Sequence, residues 1–179
     1  MFLVMLLSAA ATPPDADALH AELGLSVSQL IDALPACTST QGSGQLDLRS
    51  GCVDGVCLGD EVEAVNAECK DGGGRGIPIC APAAGVSFWD HRADPTRVST
   101  QVVELYLRPD FTGKTRDGLG VGTSMACWLA VLGTPDEVEL SRSSDRFVIS
   151  RLRWREPKVW VSAEDGWITK VTLLATRSR

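Results

Sequence analysis

Histidine and tyrosine are almost missing: the chain of 179 residues has two of the first and one of the second. The two histidines, His20 and His91, show no ligand spacing to any cysteine. No Cys-x-x-Cys occurs among Cys37, Cys52, Cys57, Cys69, Cys80 and Cys127, so the paired short spacing of a zinc site is lacking. The expectation is therefore no metal and no cofactor. An apolar run of the roughly 20 residues needed to cross a bilayer is also lacking. Basic charge is scarce in the first part, where residues 12–112 hold 6 Lys+Arg against 15 Asp+Glu. That deficit argues against nucleic acid or an anionic membrane surface as a partner, because both need a basic footprint.

What is present points out of the cytoplasm. Phe2 to Leu7 is an apolar run, and Ala9-Ala10-Ala11 fits the small residues that precede signal-peptidase cleavage, although the usual basic start is lacking. Residues 1–11 are read as a signal peptide, with a mature start near Thr12. Six cysteines in an exported chain suggest disulfides, and the location expected is secreted or periplasmic. Charge divides the remainder. Residues 12–112 form an acidic, cysteine-rich half, and residues 113–179 form a second half holding 11 Lys+Arg against 8 Asp+Glu. Asp110 to Lys114 reads as the boundary between them.

The stretch Asp117 to Pro135, DGLGVGTSMACWLAVLGTP, predicts a glycine-lined turn and a short helix from Ser124 to Leu132. Thr123 or Ser124 can cap its start and Gly133 its end. Met125, Trp128, Leu129 and Leu132 share one face, and the other carries Ala126, Cys127, Ala130 and Val131. A helix without charge on any side is expected to be covered on both sides. The frame Asp54-Gly55…Gly59 repeats as Asp117-Gly118…Gly122, and Val62 and Val65 stand where Met125 and Trp128 stand. A fainter copy begins at Gly24. Strands are predicted at Arg146–Trp154, Lys158–Ala163 and Trp167–Leu174, with Val86–Trp89 and Gln101–Arg108 in the first half and a glycine-rich loop at Lys70–Gly76. The predicted class is α+β: tandem repeats of a helix plus an antiparallel meander, helices packed on one sheet face.

The glycine-aliphatic-Gly-Thr-Ser start, the Leu-Gly-Thr-Pro-Asp-Glu exit and the meander resemble a secreted bacterial module. It is the repeat of the β-lactamase inhibitor protein family and of the small outer-membrane assembly lipoproteins. The resemblance covers Asp117–Leu174 and, more loosely, Asp54–Leu107. It implies an extracytoplasmic binding module rather than a catalyst. The chain lacks the acylated cysteine of the lipoproteins, and no inhibitor contact residue matches position by position.

Sequences that could carry chemistry are incomplete. Thr112-Gly113-Lys114-Thr115 ends like a phosphate-binding loop, but Arg108 stands where the first glycine is required. Asp90 and His91, with Asp94, are the basis of the alternative reading, a small secreted hydrolase, yet no Ser or Cys context marks a nucleophile. Cys127 near a helix start could be an activated thiolate, but five other cysteines favour a disulfide. The five in the first half cannot all pair among themselves. Cys127 is therefore expected to cross to one of them, the other four forming two bridges. Of Trp128, Trp154, Trp160 and Trp167, the first reading is one core cluster. The second sets Trp160 on the outer sheet face, because Val159 and Val161 occupy the other side of its strand. With Arg151, Arg153 and Lys158 it forms the candidate contact patch for another extracytoplasmic protein, the function expected being non-enzymatic binding or assembly.

Overall fold

The computed structural model describes residues 27–38, 41–72, 77–89, 101–143 and 146–175. The alternation of apolar and polar residues along the chain resolves into strands far more than helices. A short helix, α1 (Val27–Asp32), precedes three two-residue strands, β1 (Leu46–Asp47), β2 (Cys52–Val53) and β3 (Val56–Cys57), which pair in that order. Four strands follow: β4 (Glu68–Gly72), β5 (Ile77–Ala83), β6 (Val86–Trp89) and β7 (Glu104–Leu107). Helix α2 (Met125–Leu132) leads into β8 (Glu137–Ser143), β9 (Arg146–Trp154), β10 (Val159–Glu164) and β11 (Trp167–Leu174). These last two groups build one eight-stranded sheet of order β4-β5-β6-β7-β11-β10-β9-β8, antiparallel at every junction.

This corrects the expected α+β repeat. The described residues are mostly antiparallel β in two sheets, with two short helices among them. The helix expected after Gly59 is absent: Glu61 bridges to Gln101 and residues 62–66 are a run of turns, with Ala64 N–H on Glu61 O at 3.0 Å and Val65 N–H on Val62 O at 3.2 Å. Two β-branched valines resist helical winding, and Asn66, at φ 48°, turns the chain left-handed before a helix can grow. β8 escaped the sequence reading, as did β4, which takes up residues assigned to a loop. Asp110 to Lys114, expected as a boundary, contributes to the packed interior. Phe111 is buried, and Lys114 O accepts from Leu46 N–H of β1.

Each central strand sends alternate side chains to one core. Leu105 and Leu107 of β7, Val159 and Val161 of β10 and Val171 and Leu173 of β11 are buried, as are Leu152 and Trp154 of β9. On that face lies α2. Its Trp128 ring is 6.2 Å from that of Trp154, and the Trp154 indole N–H donates to Gly133 O at 3.1 Å. Ser124 caps the helix by accepting from Ala126 N–H, and Gly133 closes it at φ 75°. The sheet meets the helix start through Met125 N–H on Gly166 O at 2.8 Å and Gly122 N–H on Ile168 O at 2.7 Å.

Burial of α2 is one-sided, contrary to the expectation of cover all round. Met125, Cys127 and Trp128 are buried, but Ala130 is exposed and Val131 is 44% exposed. Among the described residues, cover from the first half meets the first turn. There Cys127 is bonded to Cys37, and Ser124 Oγ donates to Pro35 O. Gly166, at φ 81°, lies so close under Pro35 that a Cβ would overlap its ring, so the segment after α1 crosses both the helix start and the β10–β11 turn. The remaining cysteines pair as Cys52–Cys57 and Cys69–Cys80, each bridging directly opposed residues of neighbouring strands. Among the described residues no helix is long and apolar enough to cross a membrane.

Candidate functional site

The same alternation that fills the core leaves the other face of the large sheet polar and aromatic. Cross-strand register arranges that face in rows. One row runs Glu137, Arg153, Trp160, Thr172, Tyr106 and Ser87 across β8, β9, β10, β11, β7 and β6. The row beside it runs Glu139, Arg151, Ser162 and Lys170. Continuing the β7–β11 ladder one residue past Leu107 and Val171 brings Arg108 opposite Lys170.

Trp160 is the centre of this face. The guanidinium carbons of Arg153 and Arg151 lie 4.8 Å and 5.2 Å from its ring centroid, within cation–π range. Each arginine is itself oriented by a carboxylate. Arg153 donates to both oxygens of Glu137 at 3.0 Å, and Arg151 meets Glu139 at 2.8 Å. Half-exposed ion pairs of this kind contribute about 0–1 kcal/mol each, so their effect is to fix the planes of the guanidiniums against the indole. Lys158, the fourth residue of the expected patch, lies in the turn just before β10, where its backbone O accepts from Leu174 N–H at 3.0 Å.

A second aromatic group adjoins the first through the β7–β11 seam. Lys170 Nζ stands 4.5 Å over the Tyr106 ring, and the Tyr106 hydroxyl donates to Glu104. Burial, reinforced by that hydrogen bond and by the Glu104 charge, raises the Tyr106 phenol above its ordinary value. Burial also lowers the Lys170 ammonium, and the neighbouring Arg151 and Arg108 add to the effect while Glu104 opposes it. Beyond Tyr106, at the end of the row, Ser87 is buried with its hydroxyl unpaired, and the Trp160 indole nitrogen likewise has no hydrogen-bond acceptor.

The structure thus brings Trp160, Arg151 and Arg153 together and adds Tyr106, Lys170, Glu104 and Arg108, which the sequence reading missed. The signal was present in the alternation of Glu104, Tyr106 and Arg108 with Leu105 and Leu107. What alternation cannot supply is the neighbour, since residues 108–166 lie between β7 and β11. The tryptophans divide: Trp128 and Trp154 enter the core, Trp160 faces outward, and Trp167 is 44% exposed. Asp90, His91 and Asp94 lie outside the described residues. Cys127 is bonded rather than an available nucleophile. Among the described residues no group of three His, Cys, Asp or Glu side chains could hold a metal ion. Three intramolecular disulfides fit an oxidising, extracytoplasmic compartment. Comparison with known protein families, curated proteins and solved structures finds no match.

Proposed function

We propose that this is an exported, non-enzymatic binding or assembly protein that offers the outer face of its large sheet to another extracytoplasmic protein. The observation that carries this reading is Trp160, half-buried on the outer face of β10 with two oriented guanidiniums within cation–π range of its ring. Tryptophan and arginine are the residues most enriched where binding energy concentrates at interfaces. A purely structural tryptophan would be expected on the apolar side, where Val159 and Val161 are. The likeness to the β-lactamase inhibitor repeat supports the same reading at the level of function class, with an inhibitor-like role among its forms.

The test is capture from the native envelope or medium by the tagged full chain, beside its Trp160→Ala variant. A specific partner retained by the parent and lost by a folded Trp160→Ala protein is expected. Equal capture by both proteins, or unfolding of the variant, overturns the reading.

A further inference from the structure

Three cations stand in one row on the outer face, and their charges are poorly balanced. Arg151 and Lys170 flank Ser162 across β9, β10 and β11, and Arg108, the residue after β7, is near enough for its charge to act on Lys170. Like charges directly opposed across strands destabilise a sheet. The nearby carboxylates are engaged elsewhere. Glu139 is on Arg151 at 2.8 Å, and Glu104 accepts from Tyr106. Among the described residues neither Arg108 nor Lys170 has a carboxylate within ion-pair reach. Burial and the two arginines already work against the charge on Lys170. Along this row the cations therefore outnumber the carboxylates that could answer them.

We propose that the row Arg151, Lys170 and Arg108 receives the carboxylates of an acidic loop on the partner protein, with Trp160 and Tyr106 taking the loop's apolar stems. This rests on the binding-protein reading above and names the chemistry of the partner surface. The row spans three strand spacings, about 14 Å, which a chain carrying two or three carboxylates matches and a single small anion does not. A polyanion such as nucleic acid is disfavoured because the whole chain carries a net charge of −6. A loop that presents a few carboxylates to one basic row meets local attraction instead.

The experiment uses the full-length protein labelled with ¹⁵N. The probes are a blocked tetraglutamate peptide, a blocked tetralysine peptide and inorganic phosphate, each added to millimolar concentration. Tetraglutamate is expected to move the Trp160 indole signal and the Tyr106 and Lys170 amides. Its affinity is expected to fall at least tenfold in the Arg108→Met, Lys170→Met variant and to weaken as salt shortens the screening length. Absence of shifts, shifts elsewhere, or an unchanged affinity in the variant overturns the proposal. Phosphate binding the same residues as tightly as the peptide also overturns it, since the row is then a small-anion site. The capture assay separates this idea from the one beneath it. If Trp160→Ala loses the partner but Arg108→Met, Lys170→Met keeps it, the acidic-loop proposal falls and the binding protein stands. If the peptide binds the row but Trp160→Ala keeps the partner, the binding reading falls and the row stands as a site for acidic peptide.

Discussion

The indole N–H of Trp128 donates to the hydroxyl of Thr123 at 2.9 Å, in the interior between α2 and the sheet. That hydroxyl in turn donates to Gly120 O at 2.6 Å, so one buried group joins the turn before the helix to the ring beneath it. Thr123→Val keeps the shape and strands the indole donor. A loss of about 1–3 kcal/mol is expected, the cost of an unsatisfied buried polar group. Urea denaturation measures it, and an unchanged midpoint would show that the bond contributes nothing.

Trp128 and Trp160 should respond differently to truncation. Trp128 is fully buried, and its replacement by alanine should cost about 3–5 kcal/mol. Trp160→Ala removes a half-buried ring held against two arginines, and its effect on folding should be smaller, about 1–2 kcal/mol for the two cation–π contacts. Partner binding should weaken by about 2 kcal/mol or more. Comparable destabilisation by both variants would place Trp160 among the core residues.

The bond between Cys37 and Cys127 joins residues 90 apart in sequence. Restricting so long a loop in the unfolded chain stabilises the fold by about 3–5 kcal/mol. Cys37→Ala with Cys127→Ala should lower the denaturation midpoint accordingly, and the two local bridges should remain in non-reduced peptide maps. Recovery of Cys127 as an alkylatable thiol in the unaltered protein would contradict the pairing.

Tyr106 is the single tyrosine of the chain, so the ultraviolet ionisation curve of the native protein reports one group. Its folded pKa is raised, first by burial and then by the bond to Glu104. The native phenol should therefore titrate above the ordinary value near 10. Stability from this group is fully present below the unfolded pKa. It is lost as pH rises from there toward the folded pKa, because the unfolded chain releases its proton first. A native titration at or below the unfolded one would reverse the assignment.

Lys170 carries the opposite sign. Its folded pKa is lowered by burial and by the two arginines, so the folded state pays for the ammonium at neutral pH. That cost is relieved as pH climbs from the lowered value to the ordinary lysine value. Lys170→Met should thus stabilise the free protein near neutral pH by a few tenths of a kcal/mol to about 1 kcal/mol, the scale of a like-charge pair across strands. A clear drop in melting temperature would mean that the cation–π contact with Tyr106 outweighs the repulsion.

What the sequence made readable was local. Helix α2 and its caps follow from Ser124 and Gly133, and the inward side of β10 follows from Val159 and Val161 about Trp160. The crossing of Cys127 into the first half was expected from the odd number of cysteines there. Misreadings arose where a local signal was weak or was overruled. Val62 and Val65 have helical spacing, but the stretch is too short to nucleate a helix before Asn66 turns it. Cover over α2 was inferred from composition, yet a short helix with exposed Ala130 and Val131 tolerates water on one flank. The site itself depends on long-range register. Nothing within β7 or β11 alone places Tyr106 opposite Thr172, since pairing between distant strands is decided by the whole core they share.

β11 comes last in sequence among the described strands but lies fifth across the large sheet, between β10 and β7. A chain emerging from a ribosome or a translocation channel therefore has two separate meanders until β11 arrives. Until then β7 and β10 each present a bare edge, open to pairing with other chains. Insertion of β11 seals both edges in one event and completes the outer face, because Thr172 and Lys170 stand between the tryptophan and tyrosine groups. A copy lacking β11 carries both aromatic groups but not the strand that aligns them.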